Sequence, residues 1–231
     1  MEHQMKVIAH IENDFSSKFG IPHQSGWIKN LPARIVFEPE YRNPDALRGL
    51  EDFTHIWLIW QFSEAVRDQW SPTVRPPRLG GNKRKGVFAT RSPFRPNPIG
   101  LSSVRLLGME EVPGKGKVLL IEGADLMNGT PIYDVKPYIP MDSHPEASGG
   151  FTDFVKFEKL QVEFPEDLLA KIPEEKRDPL IAVLEDDPRP RYQKDPNRIY
   201  GMPYGEQDIH FRVEEQVLIV CDVTKYKGRE S

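Results

Sequence analysis

The sequence contains a single cysteine, Cys221, and no long apolar run. One cysteine cannot form an internal disulfide, and its apolar surroundings in VLIVCDV predict a small buried side chain in a reducing compartment. The apolar run at residues 56–60 is far shorter than the roughly 20 residues that cross a bilayer, and the first residues lack the pattern of a secretion signal. These absences predict a soluble, cytoplasmic protein.

Motifs for metals and nucleotides are also missing. The six histidines do not pair at metal-ligand spacing, and a single cysteine cannot build a zinc cluster. The segment GGNKRKG lacks the spacing and the hydroxyl of a phosphate-binding loop, and no G-x-G-x-x-G is present. The sequence therefore predicts no metal site, and its short motifs alone do not indicate a nucleotide cofactor.

Positive charge is concentrated in residues 75–105. This stretch has eight Lys or Arg and no Asp or Glu; removing those eight positive charges changes the net charge from −4 to −12. A local basic field attracts polyanions, phosphate above all. Five prolines and four glycines predict an ordered loop of defined shape. The alternatives are a solvated surface loop and arginines that stabilise a dimer by pairing with acidic residues.

Short strand patterns dominate the first 140 residues, and no long helical pattern interrupts them. Strands that follow strands predict an antiparallel barrel or sandwich. Asn43 and Pro44 predict the start of one short helix, and Asn128-Gly129 is typical of a β-hairpin turn. The predicted strands are MKVIAHIE, ARIVFEP, FTHIWLIWQF, GVFATR, IGLSSVRLLGMEEV, KVLLIEGADL and TPIYDVKPYIP.

Composition changes at residues 141–150, which have the Pro, Ser and Gly content of a linker. We therefore predict a mainly β domain at 1–140 and a small α+β domain at 151–231. In the second domain, FVKFEKLQVEF is predicted as a strand, residues 165–187 as one or two helices, and IHFRVEEQVLIVCDV as a hairpin.

Cationic and aromatic side chains alternate in the loop DPRPRYQKDPNRIYG. Such a loop suits a single-stranded nucleic acid, because phosphates meet the charges and bases stack on the rings. An ordinary surface loop pinned by prolines is the alternative interpretation.

Three long motifs, RPPRLGGNKRKGVFATRSPFRPNPIGLS, DLMNGTPIYDVKPYIP and DPRPRY, together resemble the TrmO family of S-adenosylmethionine-dependent tRNA methyltransferases. The likeness extends to HQSGW and FTHIWLIWQF and so covers nearly the whole chain. It implies an N-terminal antiparallel β-barrel that binds S-adenosylmethionine, a small C-terminal domain that helps hold tRNA, and a homodimer. The implied reaction is methylation of the exocyclic N6 amine of threonylcarbamoyl adenosine at position 37 of threonine tRNA.

The resemblance also implies functional residues. Asp125 is expected to accept from a ribose hydroxyl or the methionine amino group, and Arg91 to reach the methionine carboxylate; a plain turn is the alternative for DLMNGT. Asn128 departs from the Asp expected in many relatives. Implied cofactor-binding residues are Gln24, Ser25, Gly26, Trp27, Phe62, Ser63, Arg91, Leu101, Asp125, Leu126, Met127 and Asn128.

Asp134 is the candidate catalytic base, with a structural ion pair to Lys136 or Arg95 as its alternative role. Phe94 and Tyr133 are candidates to hold the target adenine outside its stack. A non-catalytic RNA-binding barrel is the alternative function. The implied tRNA-binding residues are Arg75, Arg78, Lys83, Arg84, Lys85, Arg95, Arg189, Arg191, Tyr192 and Tyr200.

Overall fold

A computed structural model of the chain describes residues 3–67, 69–76, 83–154, 159–189, 195 and 197–228. The strands are β1 (Ala9–Glu12), β2 (Pro32–Phe37), β3 (His55–Gln61), β4 (Thr73–Val74), β5 (Lys85–Gly86), β6 (Ile99–Val112), β7 (Gly116–Glu122), β8 (Pro131–Pro137), β9 (Gln161–Glu163), β10 (Tyr200–Tyr204), β11 (Gln207–Glu214) and β12 (Val217–Lys225). The α-helices are α1 (Glu166–Leu169) and α2 (Glu174–Glu185). Short 3-10 helices lie at Pro39–Tyr41, Pro44–Leu47, Leu50–Asp52, Ser63–Ala65, Val87–Ala89, Pro140–Asp142 and Gly150–Phe154.

Six antiparallel strands form a closed sheet in the order β1-β2-β7-β6-β3-β8. The ring closes because β1 pairs with β2 along one edge and with β8 along the other. Alternation of side chains decides which face is inside: in β3, Ile56, Leu58 and Trp60 are buried while the residues between them are more exposed. The predicted antiparallel, mainly β architecture of this part is confirmed.

The second part of the chain has its own sheet, ordered β10-β11-β12-β9, with β9 running parallel to β12. Apolar side chains of α2, among them Leu180 and Leu184, are buried in the same hydrophobic cluster as Phe211 and Val220 of the sheet. The prediction of one or two helices is confirmed, with two present, and so is the predicted β11–β12 hairpin. Strand β10 was not predicted. No helix in the described ranges is long and apolar enough to cross a membrane.

Several local predictions are wrong. The segment predicted as the strand GVFATR instead contains a 3-10 turn at Val87–Ala89. Gly129 has φ 77° and the Thr130 N–H donates to the Met127 carbonyl, so a turn does form, but the strands it joins are not neighbours. The turn is therefore a connection across the closed sheet and not a hairpin. Cys221 is half-buried, with its sulfur 3.8 Å from an Arg212 guanidinium nitrogen.

The connection between β1 and β2, residues 13–31, belongs to both parts of the protein. Its side chains Phe15, Ile28 and Leu31 are buried in the hydrophobic cluster of the second sheet, although they precede it by more than a hundred residues. Lys176 of α2 binds the Asp14 carboxylate at 2.7 Å. The first and second parts are thus joined by apolar burial and by a half-buried ion pair, and not only by the linker.

We expect Lys176→Met to lower the free energy of unfolding by roughly 1–3 kcal/mol, because the partly buried Asp14 carboxylate loses its partner while the aliphatic stem is kept. Chemical denaturation measures the change. Lys6→Met is the matched control, since Lys6 pairs with Glu40 where both side chains are mostly exposed, and we expect no measurable effect there. Equal stability of the two variants would contradict the buried role of the Asp14 pair.

Candidate active site

A chain of three hydrogen-bonded side chains lies inside one end of the closed sheet. The Trp60 indole N–H donates to the Ser102 hydroxyl at 2.9 Å, and that hydroxyl donates to Asp125 Oδ1 at 2.5 Å. Trp60 and Ser102 are buried on β3 and β6, and Asp125 lies in the segment that follows β7. A carboxylate is therefore held at the mouth of an otherwise apolar interior.

Burial raises the pKa of the Asp125 carboxyl above its ordinary range, although several groups oppose this shift. Hydrogen bonds from Ser102, from its own backbone N–H and from the backbone N–H of Ser25 lower the pKa, as does the charge of Arg91. A carboxyl with a perturbed pKa among converging polar groups is typical of a functional site. The site accordingly draws on three separate stretches of the sequence, around residues 25, 91 and 125.

Glycines permit this close approach. Gly123 has φ 81° and turns the chain at the end of β7, where its carbonyl accepts from the Gly26 N–H at 2.8 Å. Gly26, with φ 71°, also has a left-handed backbone that favours glycine. The two glycines thereby place Ser25 against Asp125.

Of the predicted cofactor-binding residues, the structure brings Ser25, Gly26, Arg91 and Asp125 together. Phe62 adjoins them through Trp60, with ring centroids 4.2 Å apart. Two further residues lie on the same loop as Ser25: the Gln24 carbonyl accepts from the Trp27 N–H. The Trp27 ring is 44% exposed, and its indole N–H donates to Asp186 after α2 at 2.6 Å.

Four other predicted cofactor-binding residues differ in their exposure and contacts. Leu101 is 54% exposed on the outer face of β6, whereas its neighbour Ser102 points inward. Leu126 is 1% exposed and packs in the core of the closed sheet, so only its backbone is available to a ligand. Ser63 is exposed at the start of the 3-10 helix after β3. Met127 uses its carbonyl to accept from the Thr130 hydroxyl at 2.6 Å.

Asn128 has a structural contact in this protein. Its side-chain oxygen accepts from the Asn13 N–H at 3.0 Å, and its own N–H donates to the Phe15 carbonyl. An Asp carboxylate provides the same acceptor, so the departure from Asp at this position preserves that hydrogen bond. Asn128 therefore anchors the segment after β1 to the segment that carries Asp125.

The candidate base Asp134 lies on β8, where its carboxylate is 2.9 Å from Lys136 Nζ. This contact matches the structural ion pair considered as its alternative role. Tyr133, at the irregularity where the pairing of β8 with β3 shifts, is half-buried, and partial burial raises its pKa. Phe94 is also half-buried and carries the Arg67 guanidinium 3.7 Å from its ring centroid.

Comparison with known proteins accounts for both parts of the chain. Residues 10–143 match the family model described as the tRNA-methyltransferase O N-terminal domain, and residues 157–226 match the TrmO C-terminal domain. The chain belongs to the TrmO family. The tRNA (adenine(37)-N6)-methyltransferase of Escherichia coli is 39% identical over 92% of this chain and 94% of its own length. A crystal structure of TrmO from Pseudomonas aeruginosa superposes with a TM-score of 0.77 at 31% identity, covering 97% and 99% of the two chains.

Another relative matches over part of the chain. The Pyrococcus abyssi protein named a "probable S-adenosyl-L-methionine-binding protein" is 38% identical over 58% of this chain and 67% of its own length.

The predicted tRNA-binding residues of this TrmO family member fall into three groups. Arg75, Lys83, Arg84 and Lys85 are exposed on or beside the two-stranded ribbon β4–β5. Arg78, Arg191 and Tyr192 lie outside the described residues. The remaining three, Arg95, Arg189 and Tyr200, are engaged within the fold.

These three side chains already have partners within the fold, and their role in binding tRNA stays a prediction. Arg95 donates to the carbonyls of Thr90 and Ser92 within its own loop. Arg189 binds both oxygens of Asp187, at 2.8 and 2.9 Å, and its side chain is only 13% exposed. Tyr200 is 5% exposed and stacks on Phe211 in the second core, so its ring is not available to a base.

Trp60 and Ser102, which support Asp125 in the candidate site of this TrmO family member, were not predicted from the sequence. The alternation of β6 contains the signal, because Ser102 occupies an inward position between Gly100 and Val104. A hydroxyl in an apolar row requires a hydrogen-bond partner, and its partners here come from β3 and from the segment after β7. That need identifies Ser102 as unusual but does not reveal which residues satisfy it.

We expect Gly100→Ala to lower the free energy of unfolding by roughly 1–3 kcal/mol, because the added Cβ would overlap the buried Trp60 indole ring. Displacement of that ring also disturbs the hydrogen bond to Ser102, so binding of S-adenosylmethionine should weaken. Thermal unfolding and ligand titration measure the two effects. Gly86→Ala is the control, since nothing lies within 4 Å of its added Cβ; comparable losses in both variants would refute the steric argument.

We expect Asp125→Asn to be at least as stable as the parent at pH 7. A carboxyl whose pKa is raised in the folded state costs stability once pH rises above its unfolded value of about 3.9, and the cost is complete above the folded pKa. The advantage of the variant should shrink as pH falls through the folded pKa towards about 4. Chemical denaturation of both proteins across this pH range tests the prediction. A variant that is less stable than the parent by the same amount at every pH would contradict the burial argument.

Proposed function

We propose that this TrmO family member transfers a methyl group from S-adenosylmethionine to N6 of adenosine 37 in tRNA. The observation that carries the proposal is the half-buried Asp125 carboxylate, which accepts from Ser102 and is influenced by the Ser25 backbone N–H and by the charge of Arg91. In finer detail, we propose threonylcarbamoyl adenosine of threonine tRNA as the target and a homodimer as the active form. A tRNA substrate implies action in the cytoplasm.

The donor set fits S-adenosylmethionine. Asp125 has acceptor oxygens for ribose hydroxyls or for the ammonium group, and a cationic ligand favours its ionised form. Arg91 is exposed and is suited to a carboxylate. The 44% exposed ring of Trp27 offers an apolar face to adenine while Asp186 fixes its orientation.

The reaction depends mainly on positioning. When bound, S-adenosylmethionine supplies an electrophilic methyl group, whose bond to sulfur breaks as a bond to N6 forms. The lone pair of N6 is conjugated with the adenine ring, which makes N6 a poor nucleophile. In-line alignment of the two reactants can supply roughly 7–11 kcal/mol of the barrier reduction. We assign the binding and orientation of S-adenosylmethionine to residues 25–27, Asp125 and Arg91. The target base is presented to it outside its stack.

N6 must lose one proton during or after methyl transfer. Asp134 remains our candidate for that role, with its carboxylate oriented by Lys136 and by the N–H of Val135. A carboxylate oxygen of Asp134 can accept that proton. Proton removal after transfer requires less basicity, because the methylated ammonium is far more acidic than the starting amine.

Incubation of the protein with methyl-labelled S-adenosylmethionine and threonine tRNA that carries threonylcarbamoyl adenosine should label position 37. The same tRNA with another base at position 37 is the substrate control. Absence of transfer at every concentration of folded protein would refute the proposal, and RNA binding without cofactor binding would identify a non-catalytic RNA-binding module instead.

We expect Arg91→Ala to weaken S-adenosylmethionine binding by roughly tenfold or more, the scale of one lost charge-assisted hydrogen bond. Isothermal titration without RNA measures it. Arg105→Ala is the matched control, because Arg105 is an exposed arginine of the same basic stretch and pairs with Glu122. Sedimentation of both variants separates the cofactor role from a dimer role: dissociation of the Arg91 variant with unchanged cofactor affinity would contradict the assignment.

A further inference from the structure

Two large aromatic side chains are exposed side by side next to the basic ribbon. The Trp70 and Phe88 ring centroids lie 6.0 Å apart with an interplanar angle of 29°, a stacked arrangement. Trp70 is 48% exposed and Phe88 is 71% exposed, although each ring already covers part of the other. Neither residue was assigned a role by the sequence, and neither belongs to the Asp125 site.

The backbone around this pair is fixed. Trp70 precedes β4 and Phe88 follows β5, so both rings lie at the same end of the ribbon. The Val87 N–H donates to the Pro72 carbonyl at 3.0 Å, and the Val87 side chain is 1% exposed. Burial of Val87 thereby anchors the ribbon while its neighbour Phe88 remains outside.

The surroundings are cationic. Arg75, Lys83, Arg84 and Lys85 are exposed on or beside the same ribbon, and the stretch 75–105 contains no acidic residue. Exposed rings next to exposed cations match single-stranded RNA, in which bases stack on rings and phosphates meet the charges. A duplex does not fit as well, because its bases are stacked and paired and offer no free face to a ring.

We infer that Trp70 and Phe88 form a stacking platform for an unpaired base of the RNA substrate, next to the target adenosine. The choice of occupant rests on the proposed function, which supplies an anticodon loop as the ligand. Phe88 precedes Arg91 by three residues, so their Cα atoms are at most about 11 Å apart. The platform is thus close enough to the cofactor site to hold a nucleotide that neighbours the flipped one.

The experiment compares Trp70→Ala and Phe88→Ala with the ring-preserving variants Trp70→Phe and Phe88→Tyr. The probes are a labelled anticodon stem-loop of threonine tRNA and a fully paired RNA of the same length, followed by fluorescence anisotropy. Each alanine variant should bind the stem-loop roughly 5- to 100-fold more weakly, the range for one lost base stack. The ring-preserving variants should remain within about twofold of the parent, and affinity for the paired RNA should not change.

Met141→Ala controls for loss of exposed apolar surface, since Met141 is 74% exposed in the 3-10 helix after β8. Stem-loop affinity that survives both alanine changes, or an equal loss for paired RNA, would overturn the platform. So would dissociation of an oligomer by the alanine variants with RNA affinity unchanged, since the rings would then serve a protein interface. Titration of S-adenosylmethionine should be unaffected in every variant, and circular dichroism checks folding.

The two proposals fail separately. If the parent protein methylates its tRNA while the alanine variants keep full stem-loop affinity, the platform is refuted and the methyltransferase function stands. If the parent protein binds the stem-loop through these rings but never transfers a methyl group, the platform stands and the methyltransferase function is refuted.

Discussion

Residues 13–31 are held by the second hydrophobic core on one side and by backbone hydrogen bonds to the end of the first sheet on the other, and the candidate site depends on this constraint. Phe15, Ile28 and Leu31 are buried against the second sheet, whereas Ser25 and Gly26 meet the end of the first. A loop between two neighbouring strands would ordinarily be free on its outer side. Here its apolar side chains are buried among those of α2 and the second sheet, so the second part of the protein contributes to the geometry of the candidate site.

This arrangement explains the contact between Trp27 and Asp186. An exposed indole has rotameric freedom that a ligand must restrict on binding. A hydrogen bond of 2.6 Å to the end of α2 removes part of that freedom beforehand. The small second domain thereby restricts Trp27, one of the residues proposed to bind the cofactor.

The same site has an electrostatic cost. Asp125 is buried far enough to raise its pKa, and its hydrogen bonds with Ser102 and Ser25 offset only part of the desolvation. Burial of a charge without a full ion pair destabilises a fold. Retention of a carboxylate at this position is consistent with binding a cationic ligand, whose charge supplies the missing partner.

The sequence predicted what depends on local pattern. Short strand patterns located β2, β3 and β6. The resemblance named Ser25, Arg91 and Asp125, and in the structure the Ser25 backbone and the Arg91 charge both act on the Asp125 carboxyl. The sequence did not predict features that depend on contacts between distant residues. Asn128-Gly129 has hairpin chemistry, yet closure of the sheet separates the two strands it joins.

Predictions for arginine and tyrosine residues have the same limit. The sequence shows that a side chain has a charge or a ring, but it does not show which partner that side chain contacts. Arg189 and Tyr200 have the composition of an RNA-binding loop, but Asp187 and Phe211 engage them inside the fold. Arg95 likewise stabilises its own loop through the Thr90 carbonyl. The basic stretch therefore has two uses that the sequence does not separate: some of its cations hold the loop in shape, while those on the ribbon remain exposed beside an aromatic pair whose rings offer free faces.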